Sequence, residues 1–142
     1  MIIPDINLLV YAYNSDAPGH DRAVKWWEDA MSSQDTVGLP WVVCLGFIRL
    51  MTSRHVLVAP WDATEVLGQV RKWMSRPSTQ ILQPGPRHLE ILESFARERV
   101  FSSDLTTDAH LAALAIEHQA ELHSNDGDFD RFPGLRCRNP LA

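Results

Sequence analysis

The feature that most restricts the fold is an alternation of two kinds of segment along the chain. Short apolar runs bounded by turn residues take turns with longer stretches whose apolar residues recur every three to four positions. Met1 to Ile3, "TVGLP" (36–40), "QILQ" (80–83), "ELHS" (121–124) and "GLRCR" (134–138) read as strands. Between them, Asn7 to Tyr13, "DRAVKWWEDAM" (21–31) and "WVVCLGFIRLMTS" (41–53) read as helices. So do "ATEVLGQVRKWMS" (63–75), "RHLEILESFARERV" (87–100) and "LTTDAHLAALAIEHQA" (105–120). Asp62 and Glu65 open the fourth of these, Leu89, Leu92 and Phe95 share a face of the fifth, and Thr106 or Thr107 is the N-cap of the sixth. Strands separated by helices cannot close as hairpins. They pair in parallel, so an α/β fold with a small, mostly parallel sheet covered on both faces is expected. A chain of 142 residues accommodates one such domain, over residues 1–142.

That architecture directs attention to one edge of the sheet, because open α/β sheets bind ligands beyond the carboxyl ends of their strands. Asp5 follows the first strand, Asp126 and Asp128 follow "ELHS", and Asp108 lies in the first turn of the last helix. The stretch "HSNDGDFDRFPG" (123–134) crowds Asp126, Asp128 and Asp130 at alternate positions. Two carboxylates at ~4 Å and an effective dielectric of ~20 repel by roughly 4 kcal/mol. Either these acids point apart into solvent, or a cation or protons lie between them. Spacing alone leaves both readings open.

Other chemistries fit less well. An EF-hand loop starting at Asp126 would need Gly where Arg131 stands and Glu where Cys137 stands. A phosphatase with Asp-x-Asp after its first strand would find Asn7 in place of the second acid, and no phosphate-binding glycine loop is present. No G-x-S-x-G turn presents a nucleophile, and the six histidines lack HExxH spacing. His110 and His118, eight apart on one helix, read as packed or solvent-facing. Cys44 and Cys137 suit buried thiols in a reducing compartment. Of the five tryptophans, most are expected in the core, with one or two at an interface.

A formal net charge of −5 excludes nucleic-acid binding by a global basic field. A polyanion would have to be held by local arginines or a bound metal. All the basic residues but Lys25 and Lys72 are arginine, including Arg49, Arg54, Arg71, Arg76, Arg97 and Arg99. No apolar run reaches a membrane-spanning length and no basic region precedes the first apolar residues, so a cytoplasmic protein is expected.

Taken together, "PDINLLVYAYNSDAPGH", "TDAHLAALAIEHQAEL" and "SNDGDFDRFPGLR" followed by "NPL" resemble a PIN domain, specifically a VapC-type toxin of a type II toxin–antitoxin pair. The resemblance runs over almost the whole chain, in order. It implies a three-layer α/β/α fold, a homodimer, and a Mg²⁺- or Mn²⁺-dependent endoribonuclease acting on RNA. It also implies restraint by a VapB-like antitoxin whose tail offers Arg to the acids. Carried over by position, it assigns metal binding to Asp5, Asp108 and Asp126, with Asp128 as a further catalytic acid. Thr106, Ser124 and Asn7 fall where short polar side chains orient those carboxylates. Asp130 is left open, with a surface ion pair to Arg131 as its expected contact. One departure stands out: many PIN domains carry Glu in the helix after the second strand, where "CLGFIR" has Gly46 ahead of Arg49. That substitution bears on a second metal position, or opens space for substrate. It also supplies the alternative of a catalytically degenerate module that grips RNA or an antitoxin without cutting.

Overall fold

The computed structural model describes residues 1–142. Five strands, β1 (Ile2–Pro4), β2 (Val37–Pro40), β3 (Thr79–Leu82), β4 (Glu121–His123) and β5 (Arg136–Arg138), form one sheet in the order β3-β2-β1-β4-β5. Every neighbouring pair is parallel. The helices are α1 (Ile6–Tyr13), α2 (His20–Ser32), α3 (Trp41–Met51), α4 (Ala63–Ser75), α5 (His88–Arg97) and α6 (Thr106–Glu117). α1 to α4 pack on one another as one set and α5 with α6 as another, so helices cover the sheet as the alternation requires. None is long and apolar enough to cross a membrane.

Local chemistry explains most of the boundaries. α4 begins where Asp62 accepts the Thr64 N–H at 3.0 Å, a cap that leaves Glu65 free, and it stops at Arg76, extended ahead of Pro77. The Arg76 guanidinium donates to the carbonyls of Met31 (2.7 Å), Ser33 (2.7 Å) and Asp35 (2.9 Å), closing the end of α2. It is therefore engaged in holding the fold. α6 differs from expectation at its start. A 3₁₀ turn, Ser103–Leu105, runs directly into it, Leu105 occupies the cap position, and the Thr106 hydroxyl donates back to the Ser103 carbonyl at 2.7 Å.

α5 is rotated relative to its expected face. His88, Ile91 and Phe95 are buried while Leu89 is 68% exposed. The cause is polar: the His88 and His110 rings share a hydrogen bond of 2.9 Å (Nε2 to Nδ1) that turns the start of α5 toward α6. The Glu117 carboxylate accepts the N–H groups of Gly85 (2.8 Å) and Arg87 (2.9 Å), fixing the preceding turn. A Cβ on Gly85 would fall 2.5 Å from that carboxylate and would have to displace it from these two N–H groups.

The core centres on aromatics. Trp73, Phe47 and Phe95 are fully buried, and the Trp73 indole donates to the Tyr13 hydroxyl at 3.1 Å. Trp26 and Trp27 are buried too, whereas Trp41 is 46% exposed. Cys44 is buried and Cys137 half-buried, both unpaired, and burial raises each thiol to about 11. α3 packs on α1 at Gly46, where a Cβ would fall 2.5 Å from Cδ1 of Ile6. The space that the missing side chain leaves is thus filled by Ile6 and is not open to substrate.

Two outcomes are expected. Gly46→Ala overpacks the α1–α3 contact and costs about 1–3 kcal/mol, a loss that Ile6→Ala in the same chain partly relieves, read by urea unfolding. Gln119, just past α6, holds a left-handed backbone (φ 54°) that a side chain disfavours. Gln119→Gly is expected to raise stability by about 1 kcal/mol in the same measurement.

Candidate metal centre

The centre is assembled from the ends of β1 and β4 and the start of α6. Asp5 follows β1 as the N-cap of α1 and is 7% exposed. Its Oδ1 accepts the Ile6 N–H at 2.8 Å, its Oδ2 accepts the Ser124 hydroxyl at 2.7 Å, and its own N–H donates to the His123 carbonyl at 2.9 Å. The carboxylate is therefore held on both oxygens. Burial raises its pKa above the usual carboxylate value, the Ser124 and Ile6 hydrogen bonds pull it back, and the Asp126 charge adds to the rise.

Beyond β4 the backbone winds into a relay. Ser124 Oγ accepts the Asp126 N–H at 3.0 Å while donating to Asp5, and Asp126 Oδ1 accepts the Asp128 N–H at 2.9 Å. Asp126 caps a 3₁₀ turn, Gly127–Arg131, that is anchored by the buried Phe129. This geometry sends Asp126 and Asp128 toward α6. One carboxylate oxygen from each of Asp108, Asp126 and Asp128 lies within 4.8 Å of the others.

Such crowding has a visible electrostatic signature. Asp108 is raised from its usual 3.8 to about 6, first by burial, then by the charges of Asp126, Asp5 and Asp128, with Arg131 pulling the other way. The donor set is entirely carboxylate, with no histidine or cysteine among the three. Hard oxygen ligands of this kind suit Mg²⁺ or Mn²⁺ better than zinc or copper, and a divalent cation would relieve the repulsion that lifts Asp108. The residues present fit such an ion.

All four acids singled out in the sequence thus sit at the same sheet edge. The tightest trio is Asp108, Asp126 and Asp128. Asp5 stands beside it, engaged by Ser124. Ser124 is the orienting group expected of it. Thr106 and Asn7 are not: Thr106 donates to the backbone, and Asn7 is exposed with no bond to a carboxylate. The expected pair between Asp130 and Arg131 is corrected too, because Arg131 bonds Asp128 Oδ1 at 3.1 Å and Asp130 stays exposed. The turn is helical rather than extended, which brings residues three apart together. That spacing was the available signal. For Ile6 over Gly46, no sequence signal existed.

With this geometry in view, similarity to known proteins becomes specific. Residues 2–135 match the PIN domain family. The chain is 45% identical over 141 residues to Ribonuclease VapC33 of Mycobacterium tuberculosis, covering 99% of both sequences. Its fold is similar to that of VapBC-1 from nontypeable Haemophilus influenzae, with a TM-score of 0.72 at 14% identity and full coverage of both chains. It is similar also to a toxin–antitoxin complex from Klebsiella pneumoniae, with a TM-score of 0.63 at 16% identity over 99% of this chain and 98% of the other. The chain belongs to the PIN-domain family, among its VapC-type members.

Proposed function

We propose that this protein is a Mg²⁺- or Mn²⁺-dependent endoribonuclease toxin, restrained by a VapB-like antitoxin, with residues 1–142 working as one PIN-like domain and pairing as a homodimer in the cytoplasm. The observation that carries the reading is the convergence of Asp108, Asp126 and Asp128, with Asp5 at their side, at the ligand-binding edge of a parallel sheet. The ribonuclease named VapC33, aligned over nearly the whole chain, supports the activity. The toxin–antitoxin complex among the structural neighbours supports the partner.

Asp108, Asp126 and Asp128 would hold the cation, with Asp5 completing the acidic wall. A bound Mg²⁺ or Mn²⁺ supplies Lewis-acid polarisation of a phosphate and lowers the pKa of water. The chain's own residues supply order. Ser124 and the Ile6 N–H prevent Asp5 from swinging out, and Arg131 tethers Asp128. Asp108, which accepts no hydrogen bond that fixes it, holds a proton more readily than an ordinary carboxylate when no cation is near. The Ser124 hydroxyl is buried and committed to Asp5, so on this reading water rather than a side chain is the nucleophile and the reaction class is hydrolysis of a phosphodiester. Arg49, exposed on the last turn of α3 and free of any ion pair, is available to contact the RNA backbone. An antitoxin guanidinium entering the centre would neutralise the same carboxylates and so compete with the cation.

The specific observation that favours a second reading is Ile6 seated over Gly46, where a further acid would stand. On that reading the domain binds RNA or the antitoxin without turnover. Cleavage of structured RNAs during an Mn²⁺ titration separates the two, because binding without product would support the module.

Asp5→Asn is expected to lower Mn²⁺-dependent RNA cleavage by roughly 100-fold or more, and undiminished cleavage would dismiss the assignment. Asp108 gives a second test, free of activity. Its proton is held more tightly in the folded chain (about 6) than at the usual 3.8, so on its account the metal-free fold gains stability as pH falls from 7 toward 4. Burial lowers His88, His110 and His123, which act in the opposite sense, so the comparison with Asp108→Asn isolates the effect. Without metal at pH 7, Asp108→Asn is expected to melt above wild type, with the gap narrowing as pH falls through about 6 and closing only near pH 4. Saturating Mn²⁺ should reverse that order at pH 7, since only wild type gains from binding.

A further inference from the structure

The mechanism leaves several buried ionisable side chains unused, among them Cys44, His88 and His123. His123, the last residue of β4, is 4% exposed, and both ring nitrogens are engaged. The Trp26 indole donates to Nδ1 at 2.9 Å, across from α2, and Nε2 lies 2.7 Å from the Glu121 carboxylate. An indole N–H can only donate, so Nδ1 carries no proton and Nε2 carries it toward Glu121. The tautomer is thus set by the partners. Any other placement of the ring leaves a buried indole N–H without an acceptor.

β4 lies between β1 and β5, and both ladders are short. It is three residues long, and Leu122 is its one apolar side chain. It pairs Ile2 with Glu121, Ile3 with Leu122 and Pro4 with His123. A slip by one residue moves the strand about 3.3 Å and sends each side chain to the opposite face. Ser124 and Asp126 lie directly downstream and would move with it. A single buried polar contact is a known means of selecting one register among near-equivalent apolar ones.

We propose that His123 is the register pin of β4 and so a positioning residue for the carboxylate centre: the Trp26–His123–Glu121 chain of hydrogen bonds holds the strand in the alignment that sets Ser124 on Asp5 and Asp126 beside Asp108. Its consequence for cation binding rests on the function proposed above; the pin itself does not. The acid-bearing turn is thereby tied to α2, an element on which none of the four acids lies.

Trp26→Phe removes the indole donor while keeping most of the ring's bulk, and Glu121→Gln, at a half-exposed position, weakens the other end of the chain. Amide hydrogen exchange by NMR on the metal-free full chain is expected to show Asp5 and Asp126 exchanging about tenfold faster in each variant, with Leu39 and Ile81 of β2 and β3 unchanged. Ring ¹⁵N shifts of wild-type His123 should report the Nε2–H tautomer. By calorimetry, Mn²⁺ affinity should fall at least about fivefold in Trp26→Phe. The double variant with Ser124→Ala should bind no more weakly than Ser124→Ala alone, as residues acting through one another do. Unchanged exchange at Asp5 and Asp126, loosening spread evenly over the sheet, an Nδ1–H tautomer, or additive losses would each overturn the pin. Should wild type bind no Mn²⁺, the metal reading fails while the exchange pattern still decides the pin.

Discussion

Everything at the functional edge depends on β1 lying beside β4, a pairing between segments at opposite ends of the sequence. The Asp5 N–H to His123 carbonyl bond continues that ladder one step past the strand, and the Ser124 hydroxyl closes the junction by bonding the Asp5 carboxylate. Each strand contributes only three residues, so the ladder itself supplies few hydrogen bonds. Its alignment is secured by what flanks it: apolar Ile3 and Leu122, both fully buried, and the polar contacts that surround His123 and Ser124. Long-range pairing of this kind is entropically demanding and is stable only once the helices have covered both faces.

The acids are placed against their own electrostatic preference. Asp108, Asp126 and Asp128 approach within 4.8 Å because the Phe129-anchored turn and the Asp126 and Ser124 caps leave them little alternative. Strain of this sort persists when the surrounding packing over-determines the local geometry. Here a core of 31 buried residues does so, and the alanine-rich α6 brings Asp108 close by letting its backbone approach its neighbours. Stability of the scaffold and frustration at the edge are two sides of one arrangement, and a cation resolves the second without disturbing the first.

The sequence made the architecture legible because apolar periodicity reports burial directly. α4 was bounded to the residue by Asp62 and by the Arg76–Pro77 stop, and every strand appeared within one or two positions. What escaped were features that depend on a partner far along the chain. The rotation of α5 follows from a His88–His110 contact that no local pattern encodes. The pairing of Arg131 with Asp128 depended on the turn being 3₁₀ rather than extended. The acids of the centre were legible individually, by their positions after strands, whereas their hierarchy was not: which three meet most closely is decided by the fold of the turn.

Gly46 and Ile6 carry a consequence for substitution at either position. An acid arriving at position 46 by itself collides with Ile6, and a smaller residue arriving at position 6 by itself leaves an unfilled gap beside Asp5. Either first step is disfavoured and only the pair is accommodated. The interlocking of two side chains therefore couples positions on two helices, and the shape of the wall beside Asp5 is set by α1 and α3 jointly.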